Sequence, residues 1–501
     1  MSLWCLLLLL ALPDPTVSTN PGVKVQITQK ALDNGRQIGI AYLQEKLKSV
    51  KISNISGSED VSPIGDVEYR LSGMRITDLV LSQSSLGLVP GTGISLSIGN
   101  AFINLHGDWH VTYLGFIQDS GCFDLDISGL TIKATISVGS DETGRPSVSS
   151  NDCVARVGDA NIDFHEGASW LYNLFTSFID QALHDSLENQ ICLLVHDAIS
   201  DLNSHLKTLN VLATVDKYAE IEYSMVTPPS ISNFLIELSL KGEFYNIGQH
   251  QEPPFSAPPF SLPPQTSSML YIGLSSFMAN SAGFVYNRAR PLSLNITDDM
   301  IPSSFPMRLN TRTFGAFVPE ISKRFPDMKV KILLKTSTQP KVTFEPNNVI
   351  LQLIGSFTAY AILPNTTLEP LFTYKVDASF SGNFWISGQN LDGSLQRYRI
   401  DVTMEASYFE DLHGCHVIIS DGWTTIFKSG QLCGHMPSDM YTTYLKDIFM
   451  LVMKLAVIPK VNGYLQQGVS LPGIGRMNLI NSKLQVKKGY MLLGTDVHFT
   501  Q

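Results

Sequence analysis

The sequence predicts an α+β protein of two similar domains, and three features support this prediction. The segment His250–Pro264 has six prolines in fifteen residues and lies near the middle of the 501-residue chain. Because proline fixes φ and lacks an amide hydrogen, this segment cannot continue a helix or an inner strand. On both sides of it, helical patterns flank runs that alternate apolar and polar residues. We interpret this shared order as an old internal duplication around an extended linker.

The chain begins with the pattern of a secretory signal peptide. Leu6–Leu12 is an apolar run that is too short to span a membrane, and prolines follow it. We expect cleavage just before Asn20, so that residues 1–19 are removed and the protein is secreted. Three glycosylation sequons fit an extracellular protein, at Asn54, Asn295 and Asn365.

The composition limits the classes of function. Hydrophobic residues make up 44% of the chain and charged residues 16%, which is a surplus of apolar side chains for a soluble protein. This surplus indicates either large cores or cavities for an apolar ligand. The formal net charge of −10 argues against a nucleic-acid partner held by phosphate contacts. We assign 20–248 to an N-terminal domain, 249–266 to the linker and 267–501 to a C-terminal domain.

The N-terminal domain is predicted to begin with an amphipathic helix over Leu32–Val50, followed by strands. Gly35 and Gly39 lie one turn apart on the apolar face of this helix. Because glycine weakens a helix, the pair predicts close approach by a packed strand or, alternatively, by a ligand chain. Ser53–Ile162 then alternates apolar and polar residues, which is typical of antiparallel strands with one exposed face.

Ala168–Leu206 carries the longest helical signal, with a broad apolar stripe. On its opposite side Asp180, His184 and Glu188 recur every four residues, a spacing that suits a metal ion. No further ligand cluster accompanies them in the sequence. We therefore expect a solvated helix face and no metal site.

The second half repeats these ingredients. Its strand patterns surround a short helical stretch and precede a late apolar helix that Pro459 interrupts. The segment Glu405–Pro437 breaks the alternation. One strand is predicted just before the linker, at Ile231–Phe244. After the linker, the predicted elements are strands at Met269–Phe277, Lys329–Leu334, Val349–Leu353, Phe357–Leu363 and Tyr374–Trp385, and helices at Asn310–Phe325 and Ser438–Ile458.

Secretion makes the cysteines beyond the leader candidates for disulfides. Five remain, an odd number that leaves at least one thiol unpaired in a monomer: Cys122, Cys153, Cys192, Cys415 and Cys433. A bridge between Cys153 and Cys192 would tie the long helix to the strands and stabilise the fold by roughly 3–4 kcal/mol. Cys415 and Cys433 either close a loop of their own or stay unpaired.

Several blocks of sequence, in order along the mature chain, resemble the family of bactericidal/permeability-increasing protein (BPI), lipopolysaccharide-binding protein and the plasma lipid transfer proteins. Within it, the chain most resembles the subfamily called BPI fold-containing family C. The resemblance covers nearly the whole mature chain. The blocks are NPGVKVQITQKALD, LKGEFYNIGQHQEPPFSAPPFSL, DDMIP, FGAFVPEISKRFPDMKVKI and GYMLLGTDVHF.

The resemblance implies an elongated boomerang of two twisted antiparallel β-barrels, each with a long helix packed along it, joined by a central β-sheet. Cys153 and Cys192 match the positions of the family's disulfide. The resemblance also implies one apolar pocket per domain, between helix and barrel, that holds the acyl chains of a phospholipid. We expect these pockets to involve Gly39, Tyr42, Leu43, Leu171, Phe175, Phe178, Phe449 and Val452.

One departure from the family weakens the prediction of lipopolysaccharide binding. His106–Asp119 matches the tip where endotoxin-binding members carry lysines, yet it contains no Lys or Arg. Residues 20–248 hold 14 Lys and Arg against 27 Asp and Glu, so they should not attract an anionic lipid. Trp109, Tyr113 and Phe116 at this tip either dip into a lipid interface or pack between strands.

We therefore expect a secreted, monomeric lipid-binding or lipid-transfer protein, whose ligand is phospholipid or another acyl lipid and which needs no cofactor. Contact with a membrane or lipoprotein surface fits this function. The alternative is an innate-immune binder of lipopolysaccharide. The sequence has no Gly-x-Ser-x-Gly elbow, and His165-Glu166 is followed by Gly-Ala-Ser, so it lacks the zinc-protease pattern. An enzyme is not expected.

Overall fold

A computed structural model of the protein describes most of the mature chain. Within 169–182 and 406–428, the backbone alone is described. The predicted leader at 1–19, Cys433 and Phe449 lie outside the described residues. Those residues are 20–49, 52–62, 65–167, 169–289, 292–303, 307–316, 318–388, 390–407, 415–420, 423–428, 452–453, 457–470 and 477–499.

Strands dominate the chain up to the linker, with two long helices among them. In order, the elements are β1 (Val23–Thr28), α1 (Gln29–Lys48), β2 (Ile55–Val61), β3 (Gly65–Val80), β4 (Gln83–Val89), β5 (Gly93–Tyr113), β6 (Ile117–Ser140), β7 (Pro146–Arg156), β8 (Asp159–His165), α2 (Ser169–Lys207), β9 (Leu212–Thr214), β10 (Ala219–Glu222), β11 (Met225–Ile231), β12 (Leu235–Leu240) and β13 (Glu243–Asn246).

The second half has long strands again, with shorter helices. In order, the elements are β14 (Leu270–Ser275), α3 (Ser276–Ala289), β15 (Ser293–Ile296), a 3₁₀ turn (Asp298–Met300), α4 (Thr311–Gly315), α5 (Pro319–Arg324), β16 (Lys329–Thr336), β17 (Lys341–Glu345), β18 (Asn348–Ile362), β19 (Leu368–Ser387), β20 (Asn390–Ser407), β21 (Cys415–Ser420), β22 (Trp423–Lys428), α6 (Ile458–Gln467), β23 (Val469–Ser470), β24 (Met477–Lys487) and β25 (Tyr490–Phe499).

The N-terminal domain is built on an antiparallel sheet in the order β2-β3-β5-β6-β7, with β4 also paired to β5 and β8 to β6. Alternation along β5 and β6 sends every second side chain into the core, as at Leu105 and Leu125, which lie opposite each other. The helix α1 adds Leu43 and Leu47 to this core. The helix α2 contributes Leu183, Leu187, Ile191, Val195 and Ile199.

Three side chains fasten α2 to β7 and to the residue that follows it. A disulfide joins Cys192 on the helix to Cys153 on the strand, with their Cα atoms 5.6 Å apart. One turn earlier, Glu188 accepts a hydrogen bond from the Val157 amide at 3.0 Å. Three turns later, Asn203 accepts one from the Val148 amide at 3.0 Å. These contacts hold the helix along the sheet edge.

The C-terminal domain has a second antiparallel sheet, in the order β15-β16-β18-β19-β20-β21-β22, with β17 on β18 and β23 on β20. A cluster of aromatic side chains lies in its core. Phe372 on β19 lies between Phe357 on β18 and Phe314 on α4, with ring centroids 6.4 and 5.7 Å away. Tyr374 packs edge-on against the same ring at 5.6 Å. All four side chains are buried.

A central sheet in the order β11-β12-β1-β14-β25-β24 joins the two domains. The strand β1 lies in the middle, where it pairs with β12 on one side and with β14 on the other. Three strands therefore come from each side of the linker. A smaller sheet, β13-β10-β9, lies in the N-terminal half.

An ion pair links the two halves at this sheet. The Lys30 ammonium on α1 lies 2.8 Å from a carboxylate oxygen of Asp496 on β25. Burial opposes the ionisation of Asp496, but hydrogen bonds from Lys30 and from the Asn481 amide outweigh it. The Met269 amide adds a third hydrogen bond. Together these donors hold the pKa of this carboxyl below its usual value.

The linker forms neither helix nor strand over residues 250–266, as its prolines predict. It is nevertheless packed. Ala257 and Leu262 are buried, and the Ala257 carbonyl accepts a hydrogen bond from Asn20 at 2.9 Å. Phe260 packs on Tyr490 of β25, with ring centroids 5.3 Å apart. The linker is thus a strap laid across the central sheet.

Most predicted elements form, and α2 matches the predicted long helix within a residue. One expectation for α1 is wrong. A Cβ atom built on Gly35 or Gly39 meets nothing within 4 Å, so no strand in the described ranges packs closely against α1 there. Most of the helix predicted at Ser438–Ile458 lies outside the described residues. Pro459 lies in the first turn of α6, where a missing amide hydrogen costs nothing.

Two further stretches differ from the prediction. The strand expected at Met269–Phe277 stops at Ser275, and the helix α3 begins there. The segment Glu405–Pro437 was expected to break the strand pattern, yet β21 and β22 continue the sheet within it. Backbone pairing of β21 to β20 and of β22 to β21 supports these two strands even though their side-chain alternation is weak.

The disulfide should contribute measurably to stability. The double substitution Cys153→Ala and Cys192→Ala should lower the free energy of unfolding by about 3–4 kcal/mol, because the cross-link restricts the unfolded chain. Urea unfolding followed by circular dichroism measures this. Cys122→Ala is the control, since Cys122 is a free thiol. Equal unfolding midpoints for the wild type and the double variant would contradict the expectation.

Candidate functional site

An apolar cavity of about 590 Å³ lies in the C-terminal domain between the sheet and the helical residues around α6. Its volume is in the range of about 300–1,000 Å³ that is usual for ligand sites. The described residues that line it are Leu292, Ser293, Leu294, Leu334, Lys335, Thr336, Pro340, Leu351, Leu353, Ile354, Gly355, Ser356, Phe357, Val376, Ala378, Phe380, Ile400, Val452, Met453, Val457, Lys460 and Val461.

The strand register makes the sheet wall apolar. Leu351 on β18 lies opposite Phe380 on β19, and Leu353 lies opposite Ala378. Because directly paired residues point to the same side of a sheet, these four side chains share one face. Gln352 lies between them on the other face, where it donates a hydrogen bond to Asp377 at 3.0 Å. Alternation thus turns the apolar residues of both strands toward the cavity.

The opposite wall comes from the helical residues near the end of the chain. Val452, Met453 and Val457 are buried beside the cavity, and Val461 on α6 extends this wall. The described lining contains no Asp, Glu or His side chain. Such a surface can enclose an apolar molecule, but it offers no acid and base pair for catalysis.

A much smaller apolar cavity lies in the N-terminal domain. A cavity of about 20 Å³ lies between Leu47, Leu187 and the sheet, about the space that one water molecule needs. Its neighbours Ile103 and Leu105 are buried in the core. Around these residues the domain is therefore almost solid.

The residues predicted to line lipid pockets lie in different environments. Val452 lines the large cavity. Leu43 is buried in the N-terminal core, but Tyr42 is 46% exposed and Gly39 is exposed too. The Lys46 ammonium lies over the Tyr42 ring at 5.6 Å, on the surface of α1. The side chains of Leu171, Phe175 and Phe178, and Phe449 as a whole, lie outside what the structure describes.

The turn between β5 and β6 separates the three aromatic residues of the predicted tip. Trp109 is buried, packs edge-on against Phe164 at 5.9 Å and donates a hydrogen bond to the His165 carbonyl. Tyr113 is half-buried, whereas Phe116 is 77% exposed. Of the three predicted residues, Phe116 is therefore the one that is largely exposed to solvent. Leu114, which the sequence analysis missed, is 51% exposed beside it.

The other predicted sites are placed as follows. Asn54, Asn295 and Asn365 are exposed, so each is open to glycosylation. Among the described residues, no three metal-ligating side chains come together as a metal site. On α2, Glu188 instead pairs with Arg156 at 2.9 Å. A membrane-spanning segment was also considered: none of the helices within the described ranges is long and apolar enough to cross a membrane.

Comparison with known proteins agrees with this architecture. The LBP / BPI / CETP family matches through its N-terminal domain over residues 31–209 and its C-terminal domain over 213–499. A crystal structure of lipopolysaccharide binding protein superposes with a TM-score of 0.60 and 29% identity, covering 96% of this chain and all of that one. This likeness confirms the predicted fold class.

Curated relatives cover the full length. A bactericidal permeability-increasing protein of Sebastes schlegelii is 54% identical over 500 residues, which is 100% of both chains. Human lipopolysaccharide-binding protein is 28% identical, over 99% of this chain and 97% of its own length. The human BPI fold-containing family C protein is also 28% identical, over 99% and 93%. The sequence identity to the Sebastes schlegelii protein is thus higher than the identity to the human BPI fold-containing family C protein, whose subfamily the sequence blocks resemble most. The chain belongs to the LBP / BPI / CETP family.

Proposed function

We propose that the protein is a secreted, monomeric carrier that holds the acyl chains of a phospholipid or related lipid in its C-terminal cavity. The observation that supports this most is the cavity of about 590 Å³ with its leucine, isoleucine, valine and phenylalanine walls. Several relatives are named for binding lipopolysaccharide, which supports a lipid as the class of ligand. The surplus of apolar residues in the sequence fits the same function.

Burial of hydrocarbon would supply most of the favourable free energy of binding for such a ligand. Each methylene group moved from water into the cavity contributes about 0.8 kcal/mol. About eight buried methylenes would contribute roughly 6 kcal/mol, which offsets much of the entropy lost on binding. No charged group is needed for this, and no covalent chemistry. Because no covalent bond holds the lipid, the protein would be able to release it at an acceptor surface. The proposal therefore extends to lipid transfer.

The second candidate function is lipopolysaccharide recognition, which the names of the relatives favour. The charge of the N-terminal domain opposes a mechanism driven by electrostatic attraction, because acidic residues outnumber basic ones there by 27 to 14. If the chain binds lipopolysaccharide, we propose that it does so through acyl chains.

Placing a larger side chain in the cavity should reduce lipid binding without unfolding the domain. Val376 lines the cavity and is not fully buried, so Val376→Phe should place a ring in the empty space. We expect the amount of copurifying lipid, measured by mass spectrometry, to fall by at least about fivefold, since the new ring displaces several methylenes. Thermal stability should stay the same or rise.

Val154→Phe is the matched control, because Val154 is 49% exposed on β7 in the other domain. It should copurify with as much lipid as the wild type. A wild-type protein that carries no lipid and takes up no fluorescent acyl probe would refute the carrier proposal. Equal lipid content in Val376→Phe and the wild type would place the lipid outside this cavity.

The salt dependence of lipopolysaccharide binding separates the two mechanisms. Binding through acyl chains should keep its affinity, or strengthen slightly, when the salt concentration rises from about 0.05 to 0.5 M. Attraction between opposite charges should weaken steeply over the same range because salt screens it. Titration of the full-length protein at both salt concentrations, followed by calorimetry, measures this. A steep loss of affinity would favour an electrostatic site.

A further inference from the structure

A polar cavity of about 440 Å³ lies where the small sheet of β9, β10 and β13 meets the end of α3. Its volume falls within the range that is usual for small-molecule sites. Lys217 and Tyr218 line it just before β10. Asn246 at the end of β13, Gln249 just after it, and Arg288 in the last turn of α3 complete the polar wall. We call this cavity the junction pocket, because its walls come from both halves of the chain.

Two hydrogen bonds between the halves fix the walls of the junction pocket. The side-chain amide of Asn246 donates to the Val285 carbonyl on α3 at 3.1 Å. The Tyr286 hydroxyl on the same helix donates to the Asp216 carboxylate, just before β10, at 3.0 Å. Because these contacts lie within the chain, the pocket is formed before a ligand binds, and a ligand does not have to order its walls. The junction pocket shares no lining residue with the apolar cavity.

Two cations line the junction pocket, and neither forms an ion pair with a carboxylate of the described residues. The Lys217 ammonium lies 4.9 Å from the centre of the Tyr218 ring, and the Arg288 guanidinium lies 5.6 Å from the centre of the Phe284 ring. Such contacts hold a cation in place without neutralising its charge. Asp216, which precedes Lys217, instead accepts a hydrogen bond from the Tyr218 amide at 2.7 Å. Both positive charges are therefore available to an anion.

The junction pocket also contains a buried hydrogen-bond acceptor without a partner. Asn246 is 8% exposed, and its Oδ1 atom accepts no hydrogen bond from the described residues. Buried polar atoms are usually paired, because removing them from water without a partner is unfavourable. A ligand with hydroxyl groups can donate to this oxygen. Gln249, which lines the same pocket, has a side-chain amide that both donates and accepts hydrogen bonds. The pocket thus suits a ligand that is both anionic and hydroxylated.

We propose that the junction pocket binds an acidic sugar, which is a hydroxylated ring that bears a carboxylate or phosphate group. Its acidic group lies between Lys217 and Arg288, and a ring hydroxyl donates to Asn246 Oδ1. The planar fork of an arginine suits two oxygens of such a group, and a lysine adds a point charge. A neutral sugar lacks the charge, and a simple anion lacks the ring hydroxyls. The two contacts together therefore give the pocket its selectivity. This function is separate from lipid carriage in the apolar cavity.

Calorimetric titration of the full-length protein with glucuronate and with a glucose phosphate tests the proposal. Glucose, acetate and inorganic phosphate should each bind at least about tenfold more weakly than the acidic sugars, because each lacks one of the two contacts. The double variant Lys217→Gln, Arg288→Gln should lose at least about tenfold in affinity for the acidic sugars. Arg70→Gln, Lys488→Gln is the matched control, since it removes the same charge from exposed positions outside the pocket. It should bind like the wild type.

The variant Asn246→Leu tests the hydroxyl contact separately. It should lower the affinity for the acidic sugars to that for the simple anions and leave the binding of the anions unchanged. Lys217 and Arg288 are both exposed, so the double variant tests the charge contact without disturbing the core. Unchanged circular dichroism and unchanged copurifying lipid would show that each variant is folded. They would also keep this test apart from that of the lipid carrier.

A bead assay identifies the source of the sugar. Retention on beads that carry glucuronate through its anomeric carbon, with release by soluble glucuronate, would support a terminal sugar of a larger glycan. Binding of the soluble sugar alone would support a free acidic sugar. Failure of both acidic sugars to bind at millimolar concentration would overturn the proposal. So would equal affinity of the wild type and the Lys217→Gln, Arg288→Gln variant.

Discussion

The pairing of β1 on both of its edges is the constraint on which the molecule depends. This strand comes first in the described chain, yet it lies between β12 from before the linker and β14 from after it. A strand edge left unpaired would expose a row of amide and carbonyl groups that need partners. The central sheet therefore forms only when both halves are present. The ion pair between Lys30 and Asp496 adds a charged contact to the same junction.

Much of this architecture is visible in the sequence, because long strands and long helices leave strong periodic signals. The 39 residues of α2 and the alternation along β5 and β6 are examples. The helix α3 was missed since its buried face includes Ser281, a polar residue that hides the helical period. Trp109 and Phe116 look equivalent in the sequence. Only the position of the turn between them buries one and exposes the other.

The cavity itself was harder to predict than the walls around it. Val452 was identified because it lies on an apolar helical stripe, but Leu351, Leu353 and Val376 belong to strands that read as ordinary core. A cavity exists where side chains from distant segments fail to fill a space, and no local pattern records that volume. The two domains show the difference. Both have apolar sheets beneath helices, yet the apolar cavity beside Leu47 and Leu187 in the first is about 20 Å³, whereas the cavity in the second is about 590 Å³.

The packed linker has a consequence for how the molecule would survive a cut. A protease that cleaved the chain inside residues 250–266 would cut the polypeptide between the two halves. The β1–β14 ladder and the hydrogen bond from the Thr28 amide to the Met269 carbonyl at 3.1 Å would remain. The two fragments would then stay together as one particle and separate only in denaturant. The hydrogen-bonded central sheet, and not the intact polypeptide, therefore holds the two halves together.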